Sequence, residues 1–268
     1  MSDSWEHDPK LLRQRIRSRQ WNCPTAGLCE GFVQANLVIV PEAHANDFHL
    51  FCQRNPQPCP LLEMTAAGDP ILRRTAASAD LRTDLPAYRV FEKGQCIAEA
   101  PDLESIWRDD LVAFLLGCSH TFDAILHRAG FRLPHHEQHK TPCVFTTNRP
   151  CKSAGIFAGP LVVSARAIPR HRVEEACALT ARYPLAHGAP VHFGDASQEL
   201  GVTDLTRSEY GGTPMELDAG DVPVFWACGV TPQAVALAAK IPFMITHKPG
   251  HMFVSDLALD EIADVGHA

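Results

Sequence analysis

Apolar residues occur along this chain in two rhythms: short unbroken runs, and spaced positions that recur every three or four residues. The unbroken runs predict buried strands over 35–40, 61–65, 143–147, 161–167, 189–193, 222–227 and 242–246. The spaced positions predict helices over 8–20, 42–53, 103–116, 121–129, 171–182 and 233–240. In 103–116 the spacing is carried by Leu103, Ile106, Trp107, Leu111, Phe114 and Leu115. Residues 88–92 and 95–98 flank Lys93-Gly94 and read as a hairpin. Pro56, Pro58 and Pro60 make 54–60 a rigid loop, because proline fixes φ and donates no hydrogen bond. Residues 66–86 read as mostly irregular, and 131–142, with two prolines and three histidines, as a linker.

The order of these elements implies an α/β protein. A three-layer α/β/α main domain with a mixed sheet is expected from residues 1–140 and 216–268, with parallel strands joined through helices. A smaller two-layer α+β domain is expected to be inserted over 141–215.

Composition narrows the function. The 268 residues are 46% hydrophobic and 21% charged, which is ordinary for a globular chain. A net charge of -7 argues against a nucleic-acid scaffold, which needs a basic surface. The one dense basic run, Arg13, Arg15, Arg17 and Arg19, reads as a solvated helix face. No apolar run approaches the ~20 residues of a membrane span. The polar, acidic start of the chain does not read as a signal peptide, so a cytoplasmic location is expected. The ten cysteines contain no Cys-x-x-Cys pair, so free thiols are expected rather than a zinc ribbon or redox motif. Oligomeric state is not written in the sequence; a homodimer stays open.

The richest segment for chemistry is 223–233, Pro-Val-Phe-Trp-Ala-Cys-Gly-Val-Thr-Pro-Gln. An apolar strand breaks at Cys228-Gly229, and Thr231-Pro232 then reads as an N-cap and first helical turn. A strand that turns into a helix leaves free N–H groups, which attract a carboxylate or phosphate. Cys228, Thr231 and Gln233 lie in that turn. Gly117-Cys118-Ser119 has the same form before the helix over 121–129. A cysteine at a helix start can ionise more readily, although most cysteines are inert buried thiols.

Arg82, beside Asp84, and Arg54-Asn55 are candidates for clamping a carboxylate, with Asn36 at the end of a strand. His187, His192 and His247 are candidates for moving protons, with Asp84 or Asp110 as partner. Asp110 equally suits a solvated helix face. No cofactor is called for. A divalent metal stays open through His187, His192, His247 and His251. Neither a Walker motif, nor Gly-x-Gly-x-x-Gly after a strand, nor Gly-x-Ser-x-Gly is present.

Several motifs occur together in fixed order: Gln34-Ala-Asn36, Cys59-Pro60, residues 80–86 (Asp-Leu-Arg-Thr-Asp-Leu-Pro), Gly117-Cys-Ser119, residues 187–192 (His-Gly-Ala-Pro-Val-His), 223–233, and Ile245-Thr-His247. With them the chain resembles, over about residues 17–256, the bacterial hydro-lyase family related by name to D-glutamate cyclase. The resemblance implies a three-layer α/β domain with a two-layer α+β domain. It also implies a lyase that removes or adds water on a small carboxylate, such as the cyclising dehydration of D-glutamate to 5-oxo-D-proline. This chain departs from the family pattern at His120, where an aromatic or apolar residue is common. It departs again at Asp123, where Glu is common, and at Ala165, where Met is common. The alternatives are a non-catalytic module that binds a small acid and a metal-dependent hydrolase that uses the histidine pairs. A purely structural oligomer is the weakest reading.

Overall fold

The computed structural model describes residues 4–264; the outermost residues of the expected main domain lie outside it. In chain order the elements are α1 (Pro9–Arg17), β1 (Phe32–Pro41), α2 (Glu42–Arg54), β2 (Leu61–Met64), β3 (Tyr88–Glu92), β4 (Gln95–Ala100), β5 (Leu111–Gly117) and α3 (His120–Arg128). There follow α4 (Pro134–Glu137), β6 (Cys143–Pro150), β7 (Pro160–Pro169), α5 (Val173–Ala181), β8 (His192–Phe193), β9 (Asp221–Ala227), α6 (Val230–Ala238), β10 (Met244–His247) and β11 (Phe253–Ala258).

The α/β class stands, with two sheets. The larger runs β2-β5-β1-β10-β3-β4, and β11 pairs with β1. The smaller runs β6-β7-β9-β8. Every ladder between named strands is antiparallel, so the expected mixed sheet and parallel crossover are not found. The strand expected over 222–227 as part of the larger sheet lies instead in the smaller one, between β7 and β8.

One expected helix is a strand. The 103–116 pattern resolves into turns and then β5, which is buried along its whole length between β2 and β1. Its six-residue apolar run was compatible with either period, and a strand covered on both faces needs no alternation. The 131–142 linker contains α4, whose His135 and His136 are buried on Asp123 and Glu30. The expected solvated arginine face holds in part: Arg17 and Arg19 are exposed, but Arg13 is buried on Val254 O and Asp256, and Arg17 also reaches Asp84 through Nε and Nη2.

β1 runs through the middle of the core. Val33, Ala35, Leu37 and Ile39 face one apolar layer, with Leu62, Leu81 and Ile245. Val38 and Val40 face the other, with Phe48, Phe114, Val235 and Met244. The helices are exchanged between sheets. β5 of the larger sheet leads into α3, whose Phe122 and Leu126 pack with Trp226 of the smaller sheet. β9 of the smaller sheet leads into α6, whose Val235 and Ala236 pack on the larger sheet. This exchange brings the two strand-to-helix corners together.

Candidate active site

β10 and β11 share one edge of β1. Val38 and Ile39 pair with Thr246 and Ile245, while Gln34 and Ala35 pair with Val254 and Phe253. Residues 248–252 loop out between them, and the ladder opens at Asn36 and Leu37. His247 fills part of this gap: its Nδ1 takes the Leu37 N–H at 3.1 Å and lies 3.2 Å from the Gln233 amide nitrogen. Beside the gap is a cavity of ≈ 360 Å³. Its lining includes Asn36, Arg89, Cys118, Ser119, His120 and Cys228, together with Gln233 and His247.

The two corners are built alike. In each, a buried strand ends at a cysteine and a threonine three residues later opens the helix. Thr121 Oγ1 accepts the Gln34 N–H at 3.1 Å. Thr231 Oγ1 accepts the Val162 N–H at 3.0 Å and donates to Val162 O at 3.1 Å. Thr231 is thus inside the helix, tying it to β7, and Gly229 holds the cap position expected for it. Ser119 does hold the cap position of α3, but its hydroxyl turns away to accept from Arg166 at 2.9 Å. Both helices therefore begin without a side-chain cap, and their first N–H groups turn onto the corners themselves: His120 and Val230 onto the cysteine sulfurs, Thr121 and Thr231 onto the cysteine carbonyls.

Asn36 sits where the corners meet. Its amide donates to Gly117 O at 2.8 Å. A Cβ at Gly229 would lie 2.0 Å from the same amide nitrogen, so only glycine allows this approach.

Burial sets the electrostatics. It pushes the Cys118 thiol up to about 12. It also raises Cys228, but the Val230 amide, the Arg166 charge and the Ser164 hydroxyl pull this thiol back toward ionisation. His120 and His247 are each brought down to about 4 by burial. Both are therefore neutral near pH 7. His120 is 7% exposed, and its Nδ1 has no hydrogen-bond partner.

Behind the floor lies a buried ion pair. Arg166 meets Asp123 through Nε at 2.9 Å and Nη2 at 3.0 Å, and donates to Ser164 Oγ at 2.6 Å. His135 adds a contact to Asp123 at 3.1 Å. Burial pushes the Asp123 carboxyl up, but Arg166 and His135 outweigh it and hold the group well below the usual carboxylate range.

Of the residues singled out in the sequence, Asn36, Cys118, Ser119, Cys228, Gln233 and His247 line this cavity, with Thr231 beneath it. The others lie elsewhere. Arg54 and Asn55 hold the backbone of Lys152 and Ser153. Arg82 is clamped to Asp80, Asp84 to Arg17, and Asp110 to Arg108. His187 is buried with Nδ1 2.8 Å from Gln57 O, and His192 bonds Asp195 O. The four histidines proposed for a metal are not gathered; among the described residues no group of three or more His, Cys, Asp or Glu is placed to hold one. Arg89, Glu209 and Tyr210 were missed. Arg89 was legible only as part of a hairpin, and nothing local distinguishes a cavity-facing arginine from a solvated one.

The model for the family described as D-glutamate cyclase matches residues 112–256, from β5 to β11. The chain belongs to this family. It is 55% identical to a protein of Rubrobacter xylanophilus named "Putative hydro-lyase", over 91% of this chain and 93% of that one. Proteins of the same name from Stutzerimonas stutzeri and Natranaerobius thermophilus are 49% and 47% identical, over 95% and 94% of this chain and 95% and 96% of theirs. The span matched by the family model contains both cysteine corners, Asp123, Arg166 and His247. No helix among the described residues is long and apolar enough to cross a membrane.

Proposed function

We propose that this D-glutamate cyclase family member is a hydro-lyase acting on a small amino or hydroxy acid, with the cyclising dehydration of D-glutamate as the leading reaction. The observation that carries this reading is the convergence of two uncapped helix starts, two thiols, two neutral histidines and Arg89 on one cavity. Its ≈ 360 Å³ is near the small end of the range of about 300–1,000 Å³ usual for ligand sites. A carboxylate suits the positive ends of the two helix dipoles and Arg89, which is paired with Glu99 through Nε at 3.0 Å.

In the reaction the substrate amine attacks the side-chain carboxyl carbon. A C–N bond forms, a C–O bond breaks, and water leaves. Starting from the ammonium and the carboxylate, the nitrogen loses two protons and the departing oxygen gains two, leaving as water. His120, neutral and with an unpartnered Nδ1, suits the first task, and a thiol suits the second. The family membership and the relatives' names support the class of reaction; the cavity's size and polarity support the substrate class.

The test is to incubate the purified protein with D-glutamate, L-glutamate and related hydroxy acids and to follow 5-oxoproline and water loss by NMR. Turnover is expected with at least one of these acids. Arg89→Ala and Cys228→Ala are each expected to lower it at least 100-fold. Full activity in the double variant would exclude this cavity as the site.

A further inference from the structure

Cys118 and Cys228 are a matched pair. Each ends a strand, each precedes a helix that a threonine ties to the adjacent strand, and each sulfur is approached by the amide of the residue two positions on, His120 or Val230. One thiol comes from the larger sheet and the other from the smaller, and both line the same cavity. His120 Nδ1, buried and unpartnered in the cavity wall, marks a polar contact that the protein itself does not complete. A dehydrating cyclisation at a side-chain carboxyl needs no such duplication of thiols on separate elements.

Inversion at a carbon does need it. One base that takes a proton and returns it from the same side leaves the configuration unchanged. Inversion requires an acceptor on one side and a donor on the other, carried by different parts of the fold.

We propose that this cavity also exchanges the α-proton of a small amino acid or its cyclised lactam and inverts the α-carbon, with Cys118 and Cys228 as the acid–base pair. The inference rests on the reading that the cavity binds a small carboxylate. In the step, the Cys228 thiolate takes the α-proton, and the electron pair of the C–H bond remains on the substrate, spread into its carboxylate. The Cys118 thiol gives its proton to the opposite side of the α-carbon. The products are the inverted acid, a Cys228 thiol and a Cys118 thiolate, and the reverse reaction restores the starting pair. No electron acceptor or second substrate is consumed. Burial raises both thiols, and the Val230 amide, the Arg166 charge and the Ser164 hydroxyl offset part of that effect at Cys228, so these groups assist its ionisation when the α-proton is taken. Arg89 and the positive ends of the two helix dipoles favour the carboxylate on which negative charge grows.

The experiment uses the full chain in D2O with D-glutamate, L-glutamate and both enantiomers of 5-oxoproline. Loss of the α-proton signal is followed by 1H NMR and configuration by chiral chromatography. The expected result is deuterium at the α-carbon together with the opposite enantiomer. Cys118→Ser and Cys228→Ser should each slow inversion at least 100-fold while the melting temperature stays within a few degrees. Absence of α-deuterium from all four acids with the unaltered protein overturns the proposal, whatever the variants do. Inversion undiminished in both serine variants overturns it equally. Cyclisation without α-exchange leaves the small-acid reading standing and removes this one; neither activity removes both.

Discussion

His120 shows how one residue links stability to the site. Burial holds it near 4, far below its ordinary 6.5, and the same is true of His187 and His247. For a histidine with a depressed folded-state value, the unfolded chain binds a proton first. Between about pH 6.5 and 4 the unfolded state carries more protons, so stability is full above this window and falls as the pH drops through it. Each such histidine adds a slope of at most about 1.4 kcal/mol per pH unit. His120→Phe keeps the ring volume and removes one titrating group. Urea midpoints at pH 7, 5.5 and 4.5 should show a shallower acid loss for this variant. An unchanged slope would mean that His120 takes up its proton equally in the folded and unfolded states, contrary to its burial.

The threonines at the two corners belong to the scale of the element. A helix leaving a strand needs something to fix its direction, and here one hydroxyl does so by completing the backbone of the neighbouring strand. Thr231→Val is nearly isosteric and leaves the Val162 N–H buried without its acceptor. The loss should be about 1–3 kcal/mol, with Thr121→Val similar through Gln34. Denaturant unfolding of each variant measures it, and a change within about 0.5 kcal/mol would show water replacing the hydroxyl.

These corners were the most legible part of the sequence. The glycine after Cys228, the glycine before Cys118, and Pro232 punctuate them, and both thiols and Gln233 line one cavity. Local ion pairs misled: Arg82 with Asp80 and Arg108 with Asp110 satisfy one another across two residues and lie away from the cavity. β5 was lost to a helix because an apolar run buried on both faces carries no period. The placement of β9 in the smaller sheet was not legible either. Strand pairing is decided by partners sixty residues away, such as Val163 opposite Ala227, and not by the strand's own residues.

At the scale of the molecule, the Arg166–Asp123 pair joins α3, which springs from the larger sheet, to β7 of the smaller. Both side chains are almost wholly buried, at 2% and 0% exposure. Arg166 lies over the rings of Phe122 and Trp226 at 4.7 and 5.4 Å, so its charge has little water to fall back on. A buried pair of this kind is costly to break and cheap to replace. Removing one partner strands the other's charge, at about 3–5 kcal/mol, whereas an apolar pair of similar volume is often neutral. Arg166→Met and Asp123→Leu should each lose about that much stability. Arg166→Met combined with Asp123→Leu should lose less than the sum of the two, and less than Arg166→Met alone, in a double-mutant cycle read from denaturant unfolding. Additive losses would mean that the two groups act independently. Activity should separate from stability in the double variant. Ser119 and Ser164 would lose the donor that orients them, and Cys228 the charge that favours its thiolate, so the refolded protein should stay at least 100-fold less active.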